Sequence, residues 1–179
     1  SYIKNIHKKV PSDLYLIIPK GQKFFAWFKC WNNKNLCFIM KVDYRSKQIS
    51  NIKVYPSIFD HTLCSDKGTI LYGTIFYNKC NIFCIEDIFY YKSKNVNFMN
   101  FNNKLKYLDL MFSKDLSQCA YHKNDIVFSL PIMNRNFNTL LNIAQNQISY
   151  DIYCIQMRQL NNNKPYLNYR INIKRNIYK

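Results

Sequence analysis

The feature that most constrains the fold of this chain is a succession of short runs of aromatic and β-branched residues, separated by turn residues. The first four runs are "DLYLIIP", "KFFAWFKCW", "NLCFIMKVDY" and "QISNIKVYP", with the turns "KGQ", "NNK" and "RSK" between them. Runs of this length and composition are typical of β-strands, and short turns favour antiparallel pairing. Two further runs, "GTILYGTIFY" and "CNIFCIEDIFYY", predict a hairpin around "NK".

The second half of the chain mixes helical and extended patterns. The segment "NFNNKLKYLDLMFSKDL" predicts a helix, because Leu105, Leu108, Met111 and Phe112 recur at helical spacing. The segment "NRNFNTLLNIAQN" predicts a second helix, whereas "NDIVFSLPI" and "SYDIYCIQMRQL" predict strands. The opening "SYIKNIHKKV" favours a short basic surface helix. We therefore expect an α+β fold, mostly antiparallel β-sheet with two or three helices.

Length and hydropathy bear on domain number and location. A chain of 179 residues without a recognisable linker predicts a single domain over residues 1–179, with a basic C-terminal tail over about residues 161–179. No apolar run approaches the roughly 20 residues that cross a bilayer. The sequence does not open with a signal-peptide pattern. We therefore expect a cytoplasmic protein that does not bind or span a membrane.

The charge balance predicts a polyanionic partner. Lys and Arg number 26 against 10 Asp and Glu, which gives a formal net charge of +16. Part of this lysine excess reflects AT-rich coding, which also enriches Asn, Ile, Tyr and Phe. A surface this basic nevertheless attracts anions. RNA or a nucleotide is the expected partner, and an acidic protein or anionic lipid is the alternative.

The cysteines and histidines indicate neither a cofactor nor a metal site. The seven cysteines form no Cys-x-x-Cys pair and lie mostly in apolar runs, which predicts buried, reduced thiols. His61 and Cys64 could begin a metal site, but no second pair at ligand spacing exists. His7, His61 and His122 stand far apart, and no Ser-His-Asp arrangement or glycine-rich phosphate loop is present.

The turn "PKGQK", residues 19–23, has two interpretations. A glycine in a basic turn lets backbone N–H groups approach phosphate oxygens, and Lys20 and Lys23 would add charge. Alternatively, the segment is a hairpin turn whose polar residues are basic because the whole surface is basic.

Five short motifs in a fixed order resemble those of the nucleotidyltransferase fold shared by DNA ligases, RNA ligases and mRNA guanylyltransferases. That family carries Lys-x-Asp-Gly-x-Arg, Asp-Gly-Glu, a strand ending in Asp, Glu-Gly, and Lys-x-Lys. The counterparts here lie over residues 18–158 and are Ile18 to Lys23, Tyr72-Gly73-Thr74, Asp87, Asn124-Asp125 and Gln156-Met157-Arg158.

The resemblance implies a domain that has lost catalysis. It places Ile18 at the position of the nucleophilic lysine, and isoleucine has no lone pair to offer a phosphate. Tyr72 and Thr74 replace two acids of the family, which a metal-dependent mechanism needs. Asp87 is retained. An active enzyme using a displaced lysine is the alternative.

The chain is also similar to the snurportin type of cap-binding domain, which shares the Pro-x-Gly-x-Lys/Arg pattern and the "TIL" hairpin. This similarity implies binding of RNA, through a capped 5′ end or a nucleotide, without a cofactor. The implied phosphate ligands are Lys20, Gly21, Lys23 and Arg158. The implied base or other contacts are Tyr72, Asp87, Gln156 and Trp27, with Trp31 and Phe89 as further stacking candidates.

Three features keep two interpretations each. Trp27 and Trp31 lie four apart on a strand and share a face, so they are either core or a stacking platform. Asp87 is either a ligand-site acid or the partner of a lysine such as Lys92. The tail residues Arg170, Lys174 and Arg175 belong either to a solvated strand or to an RNA- or partner-binding arm.

The phrases "GTILYGT" and "IEDIFYYK" and the overall composition resemble proteins of large nucleocytoplasmic DNA viruses with AT-rich genomes. This resemblance implies a viral protein of the infected cell's cytoplasm or of the virion. The resemblance assigns no role. The alternative to RNA binding is a structural or assembly role in the virus particle, in which a retired enzyme fold is a basic adaptor against capsid or genome, with other viral proteins as partners.

Overall fold

A computed structural model describes residues 2–3, 11–43, 46, 48–163 and 166–171, with backbone only for residues 2–3. Its elements in chain order are β1 (Tyr2–Ile3), β2 (Leu14–Pro19), β3 (Gln22–Trp31), β4 (Lys34–Val42), β5 (Ile49–Val54), a 3₁₀ turn (His61–Cys64), β6 (Thr69–Asn78), β7 (Cys80–Tyr91), β8 (Lys94–Asn95), α1 (Phe101–Lys114), β9 (Ile126–Ser129), β10 (Ile132–Asn134), α2 (Phe137–Asn146), β11 (Ile152–Arg158) and β12 (Leu167–Tyr169).

The α+β class with mostly antiparallel sheet is confirmed, and the described part of the chain contains two α-helices. The predicted strand over "NDIVFSLPI" is divided at Pro131 into β9 and β10, which join different sheets. The opening helix is wrong at Tyr2–Ile3, which pair as a strand with Leu167–Asn168. Residues 4–10 of that expectation lie outside the described residues.

The chain forms two compact units. Unit 1 comprises Ser1–Lys20 and Pro131–Lys179, and unit 2 comprises Gly21–Leu130. The single-domain expectation stays a prediction, because two compact units can belong to one domain.

Unit 1 is a sheet with the strand order β1-β12-β11-β2-β10 and one helix. The helix α2 begins after Asn136, whose side chain accepts a hydrogen bond of 3.0 Å from the Thr139 N–H. Leu140 and Ala144 of α2 are buried against Ile17 of β2 and Ile155 of β11. This cluster is the core of unit 1.

Unit 2 is a sheet with the strand order β5-β4-β3-β6-β7-β8, and β9 pairs parallel with β7. One side of this sheet is covered by α1, whose Leu108 and Met111 are buried with Phe28, Leu71 and Ile85. The turn between β3 and β4 has positive φ at Asn32 and Asn33, as two-residue hairpin turns require, which confirms the turn predicted at "NNK".

The hairpin interpretation of "PKGQK" is wrong. The flanking strands β2 and β3 do not pair with each other, because β2 lies between β11 and β10 whereas β3 lies between β4 and β6. The chain therefore leaves unit 1 after Lys20 and enters unit 2 at Gly21.

Candidate nucleic-acid interface

One side of the unit 2 sheet carries a cluster of aromatic rings. Phe24, Ala26 and Phe28 of β3 point to the core, so the alternate residues Phe25 and Trp27 point to the opposite side. The Phe25 ring lies 5.2 Å from the Tyr72 ring and 5.7 Å from the Phe89 ring. The Trp27 ring lies 6.1 Å from the Phe38 ring. We call this set the aromatic face, and it consists of Phe25, Trp27, Phe38, Tyr72 and Phe89.

The rings of the aromatic face are neither fully buried nor fully exposed. Trp27 is held by its indole N–H, which donates a hydrogen bond of 2.9 Å to the Lys67 carbonyl. Trp31, four residues further along β3, is 59% exposed, so the interpretation of Trp31 as core is wrong. The strand therefore places one fixed indole and one exposed indole on the same side of the sheet.

A β-bulge in β7 brings two acids to the edge of the aromatic face. Tyr72 pairs with Asp87 and Gly73 pairs with Ile85, which leaves Glu86 as the extra residue. An extra residue of this kind re-aims the side chains around it. Without the bulge, strict alternation would place Glu86 and Asp87 on opposite sides of the sheet.

Glu86 is buried and paired with Lys23, one of the predicted phosphate ligands. The Lys23 ammonium donates to the Glu86 carboxylate and also to the Thr74 hydroxyl, at 2.6 Å. The Thr74 hydroxyl in turn donates to Glu86. A buried carboxylate requires such partners, so the Lys23 charge already compensates an acid of the protein itself.

Asp87 pairs with a lysine, but the predicted partner Lys92 is wrong. The Asp87 carboxylate accepts a bond of 2.8 Å from Lys104 of α1, whose side chain is 5% exposed. The same ammonium lies 5.7 Å from the centre of the Phe89 ring. Lys92 instead donates to the buried Asp115, at 2.7 Å.

Asp115 also accepts a hydrogen bond of 2.7 Å from the Tyr91 hydroxyl. Burial, and after it this hydrogen bond to Asp115, raises the pKa of Tyr91 above the ordinary value. Three lysines therefore form ion pairs with acids inside unit 2, namely Lys23, Lys92 and Lys104.

The two glycines of the motifs lie where the backbone of another strand comes very close. A Cβ atom added to Gly21 would lie 2.2 Å from the Ile75 carbonyl oxygen, and one added to Gly73 would lie 2.1 Å from the Cys84 carbonyl oxygen. Both distances are far inside van der Waals contact, so strand packing alone requires glycine at these positions.

The remaining predicted ligands lie in unit 1. The Arg158 guanidinium is buried, donates two hydrogen bonds to the Gln156 side-chain oxygen at 2.8 and 2.6 Å, and lies 4.0 Å from the centre of the Tyr166 ring. Gln156 donates to Asn168 at 3.0 Å. Lys20 is exposed, and its backbone N–H donates to the Asp151 carbonyl at 2.8 Å.

Two further predictions concern other residues of unit 1. Ile18, at the position of the family nucleophile, is 1% exposed and pairs with Cys154. In the tail, Arg170 is exposed and its guanidinium lies 5.7 Å from the centre of the Tyr153 ring. Lys174 and Arg175 lie outside the described residues.

The thiols are free, and burial distinguishes them. Cys37, Cys64, Cys84 and Cys154 are buried, whereas Cys30 and Cys119 are exposed. Burial raises the pKa of Cys64 to about 11 and that of Cys37 still further. Among the described residues, no group of three or more His, Cys, Asp or Glu side chains could hold a metal ion.

Within unit 2, the structure brings four of the predicted site residues together. Lys23, Trp27, Tyr72 and Asp87 lie on or beside the aromatic face of unit 2. Lys20, Gln156 and Arg158 belong to unit 1.

Sequence reasoning missed Phe25, Phe38, Glu86 and Lys104. Phe25 could have been found, because it lies two residues before Trp27 in the same strand and so shares its face. The pairing of Lys104 with Asp87 could not be predicted from the sequence, because it depends on how α1 packs.

Comparison with known proteins assigns no family to the chain. No protein-family model matches it, and no curated protein is significantly similar to it. Within the described ranges, no helix is long and apolar enough to cross a membrane.

Proposed function

We propose that this protein is a non-catalytic RNA-binding domain of nucleotidyltransferase-like type, which stacks bases on the aromatic face and holds phosphates with lysines. The observation that carries the proposal is the cluster of partly exposed rings on one side of a sheet, centred on Phe25 between Tyr72 and Phe89. The motif order over residues 18–158 supports the assignment of type.

Partly exposed aromatic rings on a sheet are able to bind single-stranded RNA. Unpaired bases stack on aromatic side chains, and each stacked base contributes about 1–3 kcal/mol. Trp27 and Phe38 extend the ring cluster. Lys29, whose ammonium donates to the Asp66 carbonyl, lies two residues beyond Trp27 on the same side of β3. With a net charge of +16, the chain also attracts the phosphates of any RNA.

The absence of catalysis is part of the proposal, and two observations support it. The buried Ile18 side chain cannot attack a phosphorus atom. The acids Glu86 and Asp87 are each paired with a lysine, so their charge is compensated within unit 2. Incubation with labelled ATP or GTP and a divalent metal should leave no nucleotide on the protein; a lysine-linked label would contradict this part.

The predicted phosphate ligands differ in how available their charge is. Lys23 and Arg158 have internal hydrogen-bonding partners, and Gly21 is required by strand packing. Lys20 has an exposed side chain. We therefore expect Lys20 to contribute more to phosphate binding than Lys23 or Arg158.

Two adjacent residues of β3 allow a matched test of base stacking. Phe25→Leu keeps an apolar side chain on the aromatic face but removes the ring, whereas Phe24→Leu makes the same change on the core side. We expect Phe25→Leu to raise the Kd for a fluorescein-labelled oligouridylate about tenfold in fluorescence anisotropy, because a lost stack of ~1.4 kcal/mol is a factor of ten.

Phe24→Leu should lower the melting temperature and leave the Kd within about twofold of the parent protein, because its ring packs in the core. Equal Kd values for the two variants would contradict stacking on the aromatic face. Titrations at several salt concentrations then separate backbone contact from stacking, since only the phosphate contribution weakens with added salt.

Recognition of a 5′ cap is a more specific hypothesis than RNA binding, and a separate binding measurement tests it. The Kd for a capped oligonucleotide should be lower than that for the same oligonucleotide carrying a 5′-hydroxyl. Equal Kd values would remove the cap from the proposal and leave general RNA binding. A viral origin, and with it a place in the infected cell's cytoplasm or in the virion, belongs to the same proposal. It is supported by the composition and by the phrases "GTILYGT" and "IEDIFYYK".

A further inference from the structure

The strand β5 forms one end of the unit 2 sheet and pairs with β4. All six of its side chains, Ile49 to Val54, are exposed. The outer N–H and C=O groups of a terminal strand are a template for another strand, and proteins usually protect such edges with charges, prolines or short length. Within β5 itself, the one charged residue is Lys53 and no proline is present.

The apolar side chains of β5 gather on one side of the sheet. Ile52 pairs with Met40 and Val54 pairs with Phe38, so both share the side of the aromatic face. A bulge at Ser50 pairs Ile49 with Val42 and brings Ile49 to that side as well. The exposed fractions are 52% for Ile49, 56% for Ile52 and 51% for Val54.

The opposite side of the same edge is basic. Asn51 pairs with Lys41, and Lys53 pairs with Ile39, so alternation places Lys41 and Lys53 on one side of the sheet. Both lysines are exposed. Over residues 34–54 the sequence holds five basic residues and one acid, Asp43. The edge therefore offers an apolar row on one side and positive charge on the other.

We propose that β5 binds an extended, acidic segment of another protein by strand addition. A segment in which apolar and acidic residues alternate would place its apolar side chains beside Ile52 and Val54. Its carboxylates would lie beside Lys53, on the side of the sheet that also carries Lys41. Main-chain hydrogen bonds supply affinity in this mode, and the alternate side chains supply specificity. The proposal rests on β5 and on Lys41 of the neighbouring β4, and it does not depend on RNA binding.

Charge favours this occupant over the two others that an open edge admits. A second copy of the chain carries the same charge of +16 and the same lysines, so pairing of two β5 strands brings like charges together. RNA matches the lysines but has no row of N–H and C=O groups at strand spacing. An acidic strand matches both the main-chain groups and the lysines.

The test uses the full chain and a short fluorescein-labelled peptide of alternating valine and glutamate, with its ends blocked. We expect saturable binding in fluorescence anisotropy. Replacing the glutamates by lysines should weaken binding at least tenfold, and N-methylation of the amides on one edge of the peptide should do the same. Binding that is insensitive to N-methylation would overturn strand addition.

The matched protein variants are Ile52→Ser and Ile58→Ser. Both remove an exposed isoleucine, but Ile58 lies outside β5 and is 42% exposed. Ile52→Ser should raise the peptide Kd about tenfold, while Ile58→Ser leaves it within twofold; equal effects would overturn the assignment to β5. Circular dichroism of both variants checks that the sheet is intact.

Two further outcomes would assign the edge to a different occupant and so overturn the proposal. One is a dimer in sedimentation velocity that Ile52→Ser dissociates. The other is displacement of the peptide by an oligouridylate at the concentration of its own Kd. Because Phe25→Leu tests RNA binding on another part of the sheet, either hypothesis can fail without the other.

Discussion

Lysine side chains in this protein serve two different purposes that composition does not distinguish. Lys23, Lys92 and Lys104 lie beside the buried or partly buried acids Glu86, Asp115 and Asp87. Removal of such a lysine leaves a carboxylate in a medium that does not solvate it. The exposed lysines, such as Lys20, carry the charge that a polyanion can contact.

The pair of Lys104 with Asp87 gives a stability prediction. Loss of one partner of a buried ion pair costs about 3–5 kcal/mol, and we expect the lower end for Lys104→Met because a fifth of the Asp87 side chain stays exposed. Urea denaturation measures the free energy of unfolding. The double variant Lys104→Met with Asp87→Leu should recover most of the loss, since no uncompensated charge remains. A double variant as unstable as the single one would contradict a charge-pair role.

Tyr91 gives a prediction at alkaline pH. Burial and the Asp115 hydrogen bond raise the pKa of this phenol in the folded state, whereas in the unfolded chain it titrates near its ordinary value of about 10. Above that pH the unfolded state binds fewer protons than the folded state. The free energy of unfolding therefore falls as the pH rises further.

The variant Tyr91→Phe isolates this effect. It should lower the free energy of unfolding by about 1 kcal/mol at neutral pH, because one hydrogen bond is lost. Above pH ~10 its free energy of unfolding should fall less steeply with pH than that of the parent protein. Denaturation curves over this range measure both quantities, and parallel slopes would show that Tyr91 is not responsible.

Among strands and connections, the segment "PKGQK" shows how a local pattern can mislead. Two strand-like runs around a Lys-Gly turn predict a hairpin, yet β2 and β3 pair with different neighbours. Partner choice depends on residues far along the chain, such as β11 for β2 and β6 for β3. The strand positions were predictable because alternation and turn residues are local.

A substitution at Gly21 can distinguish between two roles for this turn, which are phosphate binding and packing against β6. Because an added Cβ would lie 2.2 Å from the Ile75 oxygen, Gly21→Ala should lower the free energy of unfolding by about 1–3 kcal/mol or more. If packing is the sole role, the RNA Kd measured well below the melting temperature should be unchanged.

The exposed neighbour Lys20 is the control for this prediction. Lys20→Gln should leave the free energy of unfolding within about 0.5 kcal/mol of the parent value, as substitutions at exposed positions usually do. It should weaken RNA binding a fewfold if its ammonium contacts phosphate. A Gly21→Ala variant that keeps its stability and loses RNA affinity would instead support the phosphate turn.

For the protein as a whole, net charge and local charge give different information. The total of +16 predicts attraction to polyanions but not where they bind. Some of the lysines are paired with acids inside unit 2, and others lie along the β4–β5 hairpin. The aromatic face and the β5 edge consequently suit different partners, a nucleic acid and an acidic protein segment.

The amino-acid sequence specified the α+β class, the position of most strands and both helices, because alternation, helical spacing and turn residues act over a few neighbouring positions. It did not specify β12, a short strand that pairs with β11 on one side and with the distant β1 on the other. Tertiary structure alone decided that β2 and β3 belong to different sheets, that a bulge allows the buried Glu86 to pair with Lys23, and that Lys104 pairs with Asp87. Each of these depends on contacts between residues far apart in the chain, which local sequence patterns do not encode.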